Sequence, residues 1–205
     1  MKSLVFLSQK GGSGKTTLSV HTAVTAQESG EQVVIIDTDP QQSAMTWAEA
    51  RNSDSPPVAR ISAAEIDKVL QAARDEQITL AVVDTAPHAT PDASKVARIA
   101  DLVVIPVRPS AFDIAAAGNA VQIAQAVGAK TVFVLSACPF RSPEIAETRE
   151  LLAGYGLPIA PVEITERRAF ARAVASGRAV TEFENNGKAA EEIRALWLWL
   201  KGQLS

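Results

Sequence analysis

Cysteine is nearly absent: Cys138 is the single thiol in 205 residues. One thiol cannot close a disulfide within the chain or build a cysteine-based cluster or zinc finger, and a reducing cytoplasm is the expected compartment. Long apolar runs are missing too. No stretch approaches the ~20 residues of a membrane-spanning helix, and the opening MKSLVFLSQKGG has neither the apolar length nor the small-residue cleavage pattern of a secretion signal. Nor is there a strong charge imbalance. With a net charge of -3, any contact with nucleic acid must come from a local basic patch rather than from the overall field. His21 and His88 stand apart from each other and from any second ligand, which points to structural or solvated roles. Repeats and low-complexity tracts are also lacking, and the lone cysteine reads as a small buried hydrophobe.

What remains is an ordinary globular composition, 47% hydrophobic and 21% charged. A chain of this size buries roughly two-thirds or more of its unfolded surface in one core, so a single domain over residues 1–205 is expected. Short runs rich in Val and Ile occur at 3–8, 32–37, 79–84, 102–106, 131–136 and 159–164. Their brevity and composition predict strands buried on both faces. Between them, helical spacing covers 15–29, 43–51, 63–76, 91–99, 113–127, 143–154, 168–177 and 187–204. Such alternation predicts an α/β fold, a mostly parallel twisted sheet flanked by helices on both faces. Gly30 fits a helix C′ position, Asp113 and Ser142 fit N-caps, and NSDSPPV (52–58) reads as a loop.

The chemistry concentrates in FLSQKGGSGKTTLSV, residues 6–20. A glycine-rich turn between strand and helix lets backbone N–H groups converge on phosphate oxygens at the positive end of the helix. Gly11, Gly12, Ser13 and Gly14 supply the turn. In the P-loop pattern Lys15 reaches the β- and γ-phosphates, Thr16 ligates Mg²⁺, and Thr17 continues the cradle. The pattern's first glycine is replaced by Gln9, with Lys10 beside it. VVIIDTDPQQS ends a strand with Asp37 and Asp39, which extended geometry would point to one side at the ligand-binding edge. TLAVVDTAPHAT places Asp84 at another strand end, the Walker B position for a carboxylate near Mg²⁺.

The KGGSGKTT form resembles the deviant Walker A loop of the ParA and MinD group of ATPases, and the likeness runs over essentially the whole chain. It implies ATP and Mg²⁺ as cofactors and a slow, partner-stimulated hydrolysis. It also implies that Lys10 reaches the nucleotide of a second subunit in a homodimer that sandwiches ATP, where a further cation offsets transition-state charge. The D-x-D-P-Q segment is similar to the group's switch I, which places Asp37 near the metal and Asp39 at the attacking water. PVRPSAFDI resembles the segment along the nucleotide, carrying Pro106 and Pro109. The Asn that often reads adenine after the following strand has no counterpart in VLSACPF.

The chain's brevity resembles the small ParA partition proteins without an N-terminal helix-turn-helix domain, whereas the nitrogenase iron protein needs two cluster cysteines per subunit and is excluded. Within residues 165–178 four arginines, Arg167, Arg168, Arg172 and Arg178, face one acid, Glu166, a local excess of three. This segment looks like the ParA region used for non-specific DNA binding. The implied function is plasmid or chromosome partition with a centromere-binding adaptor, in the cytoplasm on the nucleoid. Alternatives are a MinD-like membrane-cycling ATPase and a DNA-transfer accessory ATPase. The last helix argues against a membrane anchor: Ile193, Leu196, Trp197, Leu200 and Leu204 form one core-facing stripe, with Trp199 as an exposed contact. Met45 and Trp47 are expected in local packing.

Overall fold

The computed structural model describes residues 1–87 and 91–205; His88 lies outside the described residues. The strands are β1 (Lys2–Phe6), β2 (Val33–Asp37), β3 (Val58–Arg60), β4 (Leu80–Asp84), β5 (Leu102–Val107) and β6 (Thr131–Leu135). Among the described residues they form one sheet in the order β3-β2-β4-β1-β5-β6, and every pairing is parallel. The helices are α1 (Lys15–Glu28), α2 (Ser43–Glu49), α3 (Ile66–Asp75), α4 (Pro91–Arg98), α5 (Ala111–Ala126), α6 (Glu144–Ala153), α7 (Arg168–Ala175), α8 (Val180–Phe183) and α9 (Lys188–Gln203). A 3₁₀ turn, Ala63–Glu65, leads into α3.

Strand alternation sorts the core into two layers. Leu4, Phe6, Ile35, Val82, Val104 and Val134 face α1, α2, α7, α8 and α9. Val5, Ile36, Val83, Val103, Ile105 and Phe133 face α3, α4, α5 and α6. On α9 the expected stripe is buried, and each of Ile193, Leu196 and Leu200, with no exposed surface, contributes about 1.5–3 kcal/mol. The large exposed apolar residue of that helix is Leu198, whereas Trp199 packs half-buried against the core. Trp47 is buried and donates its indole N–H to the Arg178 carbonyl oxygen at 3.2 Å.

Three sequence expectations need correction. Residues 159–164 do not form a strand: Pro158 just before the segment and Pro161 within it lack N–H donors, and the stretch makes only isolated bridges, Ile159 to Phe133 and, one residue beyond its end, Thr165 to Cys138. The sixth strand is β3, an edge strand of three residues directly after the Pro-rich loop, too short to show a pattern. The N-cap of α5 is Ser110, whose hydroxyl accepts from the Asp113 N–H, so Asp113 is the third residue of the helix. Helix α6 starts at Glu144 behind Pro143, and Ser142 precedes the cap. Gly30 holds the left-handed C′ position expected of it, at φ 99°.

Candidate nucleotide site and basic face

The order of strands reverses around β1, and the loop after it opens at the carboxyl edge of the sheet, between β4 and β5. Ligands bind at such switch points in open parallel sheets. Gly12 and Gly14 take φ of 75° and 98°, a left-handed region costly for residues with a Cβ. At Gly14 an added Cβ would meet the end of β6 only in ordinary contact, 3.4 Å from Ser136 Oγ, so the left-handed backbone is what requires glycine there. That hydroxyl donates to the Ser13 carbonyl oxygen at 2.6 Å and ties the loop to β6. Helix α1 then begins at Lys15, with its N-terminus aimed at the loop.

Lys15 is buried and its ammonium donates to the Lys10 carbonyl oxygen at 3.1 Å. Burial lowers its pKa, while the charges of Asp84 and Asp39 pull it back up. The loop, Thr16, Thr17, Asp39, Gln41 and Val174 line a cleft of about 390 Å³. Phosphates placed there would meet backbone N–H groups, the helix N-terminus and Lys15 together.

Asp37 and Asp84 end adjacent strands and are register partners. Asp37 accepts from the N–H groups of Asp39, Ala44 and Met45 at 3.0, 3.0 and 3.1 Å. These bonds end β2 at Asp37, fold the next residues into a loop and start α2. The expectation that Asp37 and Asp39 project together from an extended strand is therefore corrected: Asp39 reaches the cleft from that loop. With three of its roughly four acceptor sites committed, Asp37 fits fixing the loop better than direct ligation of a metal. Asp84 is the opposite case. It is buried, and neither carboxylate oxygen has a donor in hydrogen-bond geometry. Burial pushes its pKa up to about 7; the Thr16 hydroxyl, close by though outside hydrogen-bond geometry, and the Lys15 charge oppose the rise, while the Asp37 and Asp39 charges add to it. An orphaned buried carboxylate beside the Thr16 hydroxyl fits a hard divalent cation.

A second cleft, about 250 Å³, continues from Gly12 and Gly14 past Thr17, Ser136 and Ala137 to Arg108, Thr165, Glu166 and Phe170. It adjoins the phosphate loop through Gly12, Gly14 and Thr17. Pro106 lines neither cleft, which corrects its placement along the nucleotide, whereas Pro109 directly follows Arg108, a residue of the second cleft. Strand β5 runs to Val107, so Pro106 is a buried strand residue opposite Val134. Arg108 and Glu166, 3.9 Å apart, instead face each other across this cleft. Sequence reasoning missed this pairing: Arg108 follows β5, and Glu166 is brought beside it by a segment that bonds back past the end of β6, the Glu166 N–H donating to the Cys138 carbonyl oxygen at 2.8 Å.

The four arginines separate into two kinds. Arg167 is held by Glu192, with Nη2 and Nε 2.7 and 3.1 Å from the same carboxylate oxygen. Arg168, Arg172 and Arg178 are exposed, and Arg172 stacks on Phe183 at 5.2 Å. Arg168 and Arg172 stand one turn apart on α7, the helix whose Phe170 and Val174 line the nucleotide clefts.

Residues 4–180 match the CobQ/CobB/MinD/ParA nucleotide binding domain. The chain belongs to this family. As a ParA/MinD-type ATPase domain it is 31% identical to maintenance of carboxysome distribution protein A of Gloeobacter kilaueensis, over 92% of this chain and 87% of the relative. It is 28% identical to protein ParA of Rhizobium radiobacter, over 83% and 81%. The same fold is found in the septum site-determining protein MinD of Pyrococcus horikoshii, complexed with Mg-ADP, at 13% identity and a TM-score of 0.81 over 100% and 98% of the two chains. Among the described residues no helix is long and apolar enough to cross a membrane.

Proposed function

We propose that this ParA/MinD-type domain is a partition ATPase: it binds ATP with Mg²⁺, dimerises around the two nucleotides, and in that state holds DNA without regard to sequence. The observation that carries the proposal is α7, one face of which lines the nucleotide clefts while the other presents Arg168 and Arg172. Nucleotide state and a polyanion surface are thereby linked through one helix. The likeness to a ParA protein supports DNA as cargo, moved with a centromere-binding adaptor on the nucleoid.

In this proposal the Gly11–Gly14 loop, Lys15 and Thr17 bind the phosphates, Thr16 and Asp84 hold Mg²⁺, and Asp39 orients the attacking water. Bound Mg²⁺ would neutralise charge on the β- and γ-phosphate oxygens. Asp37 fixes the loop that carries Asp39, and Lys10 acts on the partner's nucleotide. Burial lowers the Lys15 pKa, yet the Asp84 and Asp39 charges and the incoming phosphates favour the ammonium.

Molar mass from light scattering with a non-hydrolysable ATP analogue tests this. The wild type becomes a dimer, Lys15→Ala stays monomeric because it does not bind the analogue, and Lys10→Ala binds it yet stays monomeric. Sedimentation with anionic vesicles but not with DNA would replace the partition role by the membrane-cycling one.

A further inference from the structure

Lys10 already has an anionic partner inside its own protomer. Its ammonium donates to Asp113 Oδ2 near the start of α5, and the Phe112 ring lies 5.9 Å from the same nitrogen. The two ends of the pair differ. The Lys10 side chain is 37% exposed at the rim of the loop, whereas that of Asp113 is 3% exposed. The Ser110 hydroxyl donates to the same Asp113 oxygen, and the other oxygen, Oδ1, has no partner.

A carboxylate this deeply buried calls for a counter-charge, and Lys10 is the cation in contact with it. If Lys10 is to reach the nucleotide of a second copy, as the dimer reading above requires, it must first leave this carboxylate. We propose that Asp113 is a positioning residue that keeps Lys10 within its own protomer until a second copy presents phosphates. The lysine then exchanges one anion for another. The exchange sets a threshold: assembly proceeds only when the arriving phosphate charge outcompetes Asp113, and the place of Asp113 in the first turn of α5 lets the helix dipole stabilise the carboxylate left behind.

The inference rests on the dimer reading, but its first consequence does not depend on a dimer. In the nucleotide-free protein, Asp113→Asn should raise the rate at which an amine-reactive acylating reagent modifies Lys10, read by peptide mass spectrometry, on the order of 10-fold, the size expected for losing a charge-assisted hydrogen bond. Lys2 provides the internal reference. With a non-hydrolysable ATP analogue, Asp113→Asn should dimerise at a roughly 10-fold lower protein concentration than wild type. The same change on a Lys10→Gln background should lower it no further. Asp113→Ser, which retains a hydroxyl beside Ser110, repeats the series if the Asn variant melts early. An unchanged acylation rate overturns the holding role. An equal effect of Asp113→Asn with and without Lys10 makes the residue merely structural and overturns the exchange. A wild type that stays monomeric with the analogue defeats the dimer reading and the exchange with it, while acylation still reports whether Asp113 holds the lysine.

Discussion

Asp37 and Asp84 are register partners on adjacent strands, yet Asp37 accepts three backbone hydrogen bonds and Asp84 none. The same residue type at the same edge therefore does two jobs. Asp37→Ala orphans three backbone donors, and a loss of about 1–3 kcal/mol in urea unfolding of the nucleotide-free protein is expected. Asp84→Asn removes a buried unpartnered carboxylate. The nucleotide-free protein should be as stable as wild type or more so, with Mg²⁺-dependent nucleotide affinity reduced on the order of 10-fold or more. Equal destabilisation by both variants would contradict this division.

Asp39 accepts from the Gln41 N–H at 2.9 Å and sits in a loop that Asp37 fixes. If its task is to orient water, Asp39→Ala should retain ATP and accumulate as a dimer, because cleavage and not assembly is lost. Gel filtration in saturating ATP, with bound nucleotide assayed in the dimer peak, checks this. A monomeric variant would place Asp39 in assembly instead.

Much of this site is legible in the sequence because it is local. The loop's glycines, Lys15 and Thr16 lie within a few residues, and Asp84 ends an apolar run that only a buried strand explains. The misreadings are tertiary. Arg167 looks equivalent to Arg168 until the fold brings Glu192, 25 residues away, against it. Asp113, which reads as a helix cap, meets Lys10 across 103 residues. Pro106 is misplaced because β5 continues through Val107, and edge strand β3 has too few residues to announce itself.

His21 gives a pH signature. Its Nδ1 accepts from the Val180 N–H at 3.1 Å, its ring centroid is 5.2 Å from that of Phe170, and burial pushes its pKa down to about 3, with the Glu182 charge offsetting this in part. Between about pH 6.5 and 3 the unfolded chain binds a proton here that the folded chain refuses. Stability from this group is thus complete above pH 6.5 and falls by about 1.4 kcal/mol per pH unit through that window as pH drops. His21→Leu should cost about 1–3 kcal/mol at pH 8 by orphaning the Val180 N–H, yet lose less than wild type on acidification. Parallel acid losses in urea titrations at pH 8, 6 and 4.5 would contradict the assignment.

The arginines should separate functionally as they do structurally. Replacing Arg168 and Arg172 together by alanine should weaken DNA binding equally for unrelated sequences. It should also flatten the slope of log affinity against log salt by about 0.9 for each phosphate no longer neutralised. Arg167→Ala should leave that slope unchanged and instead lower stability, since Glu192 loses its cation. Fluorescence anisotropy with two unrelated duplexes separates the variants, and a flattened slope for Arg167→Ala would mean that Glu192 releases it on DNA.

The link between nucleotide and DNA is tested most directly by the salt dependence of DNA affinity, measured on one duplex with and without a non-hydrolysable ATP analogue and Mg²⁺. One protomer offers three exposed arginines of this segment, Arg168, Arg172 and Arg178, and a dimer doubles that face. The analogue should therefore tighten binding and steepen the salt slope, and Lys15→Ala should show neither change. Equal affinity and equal slope in the two nucleotide states would contradict the account, because α7 would then carry no message from the nucleotide cleft to the basic face.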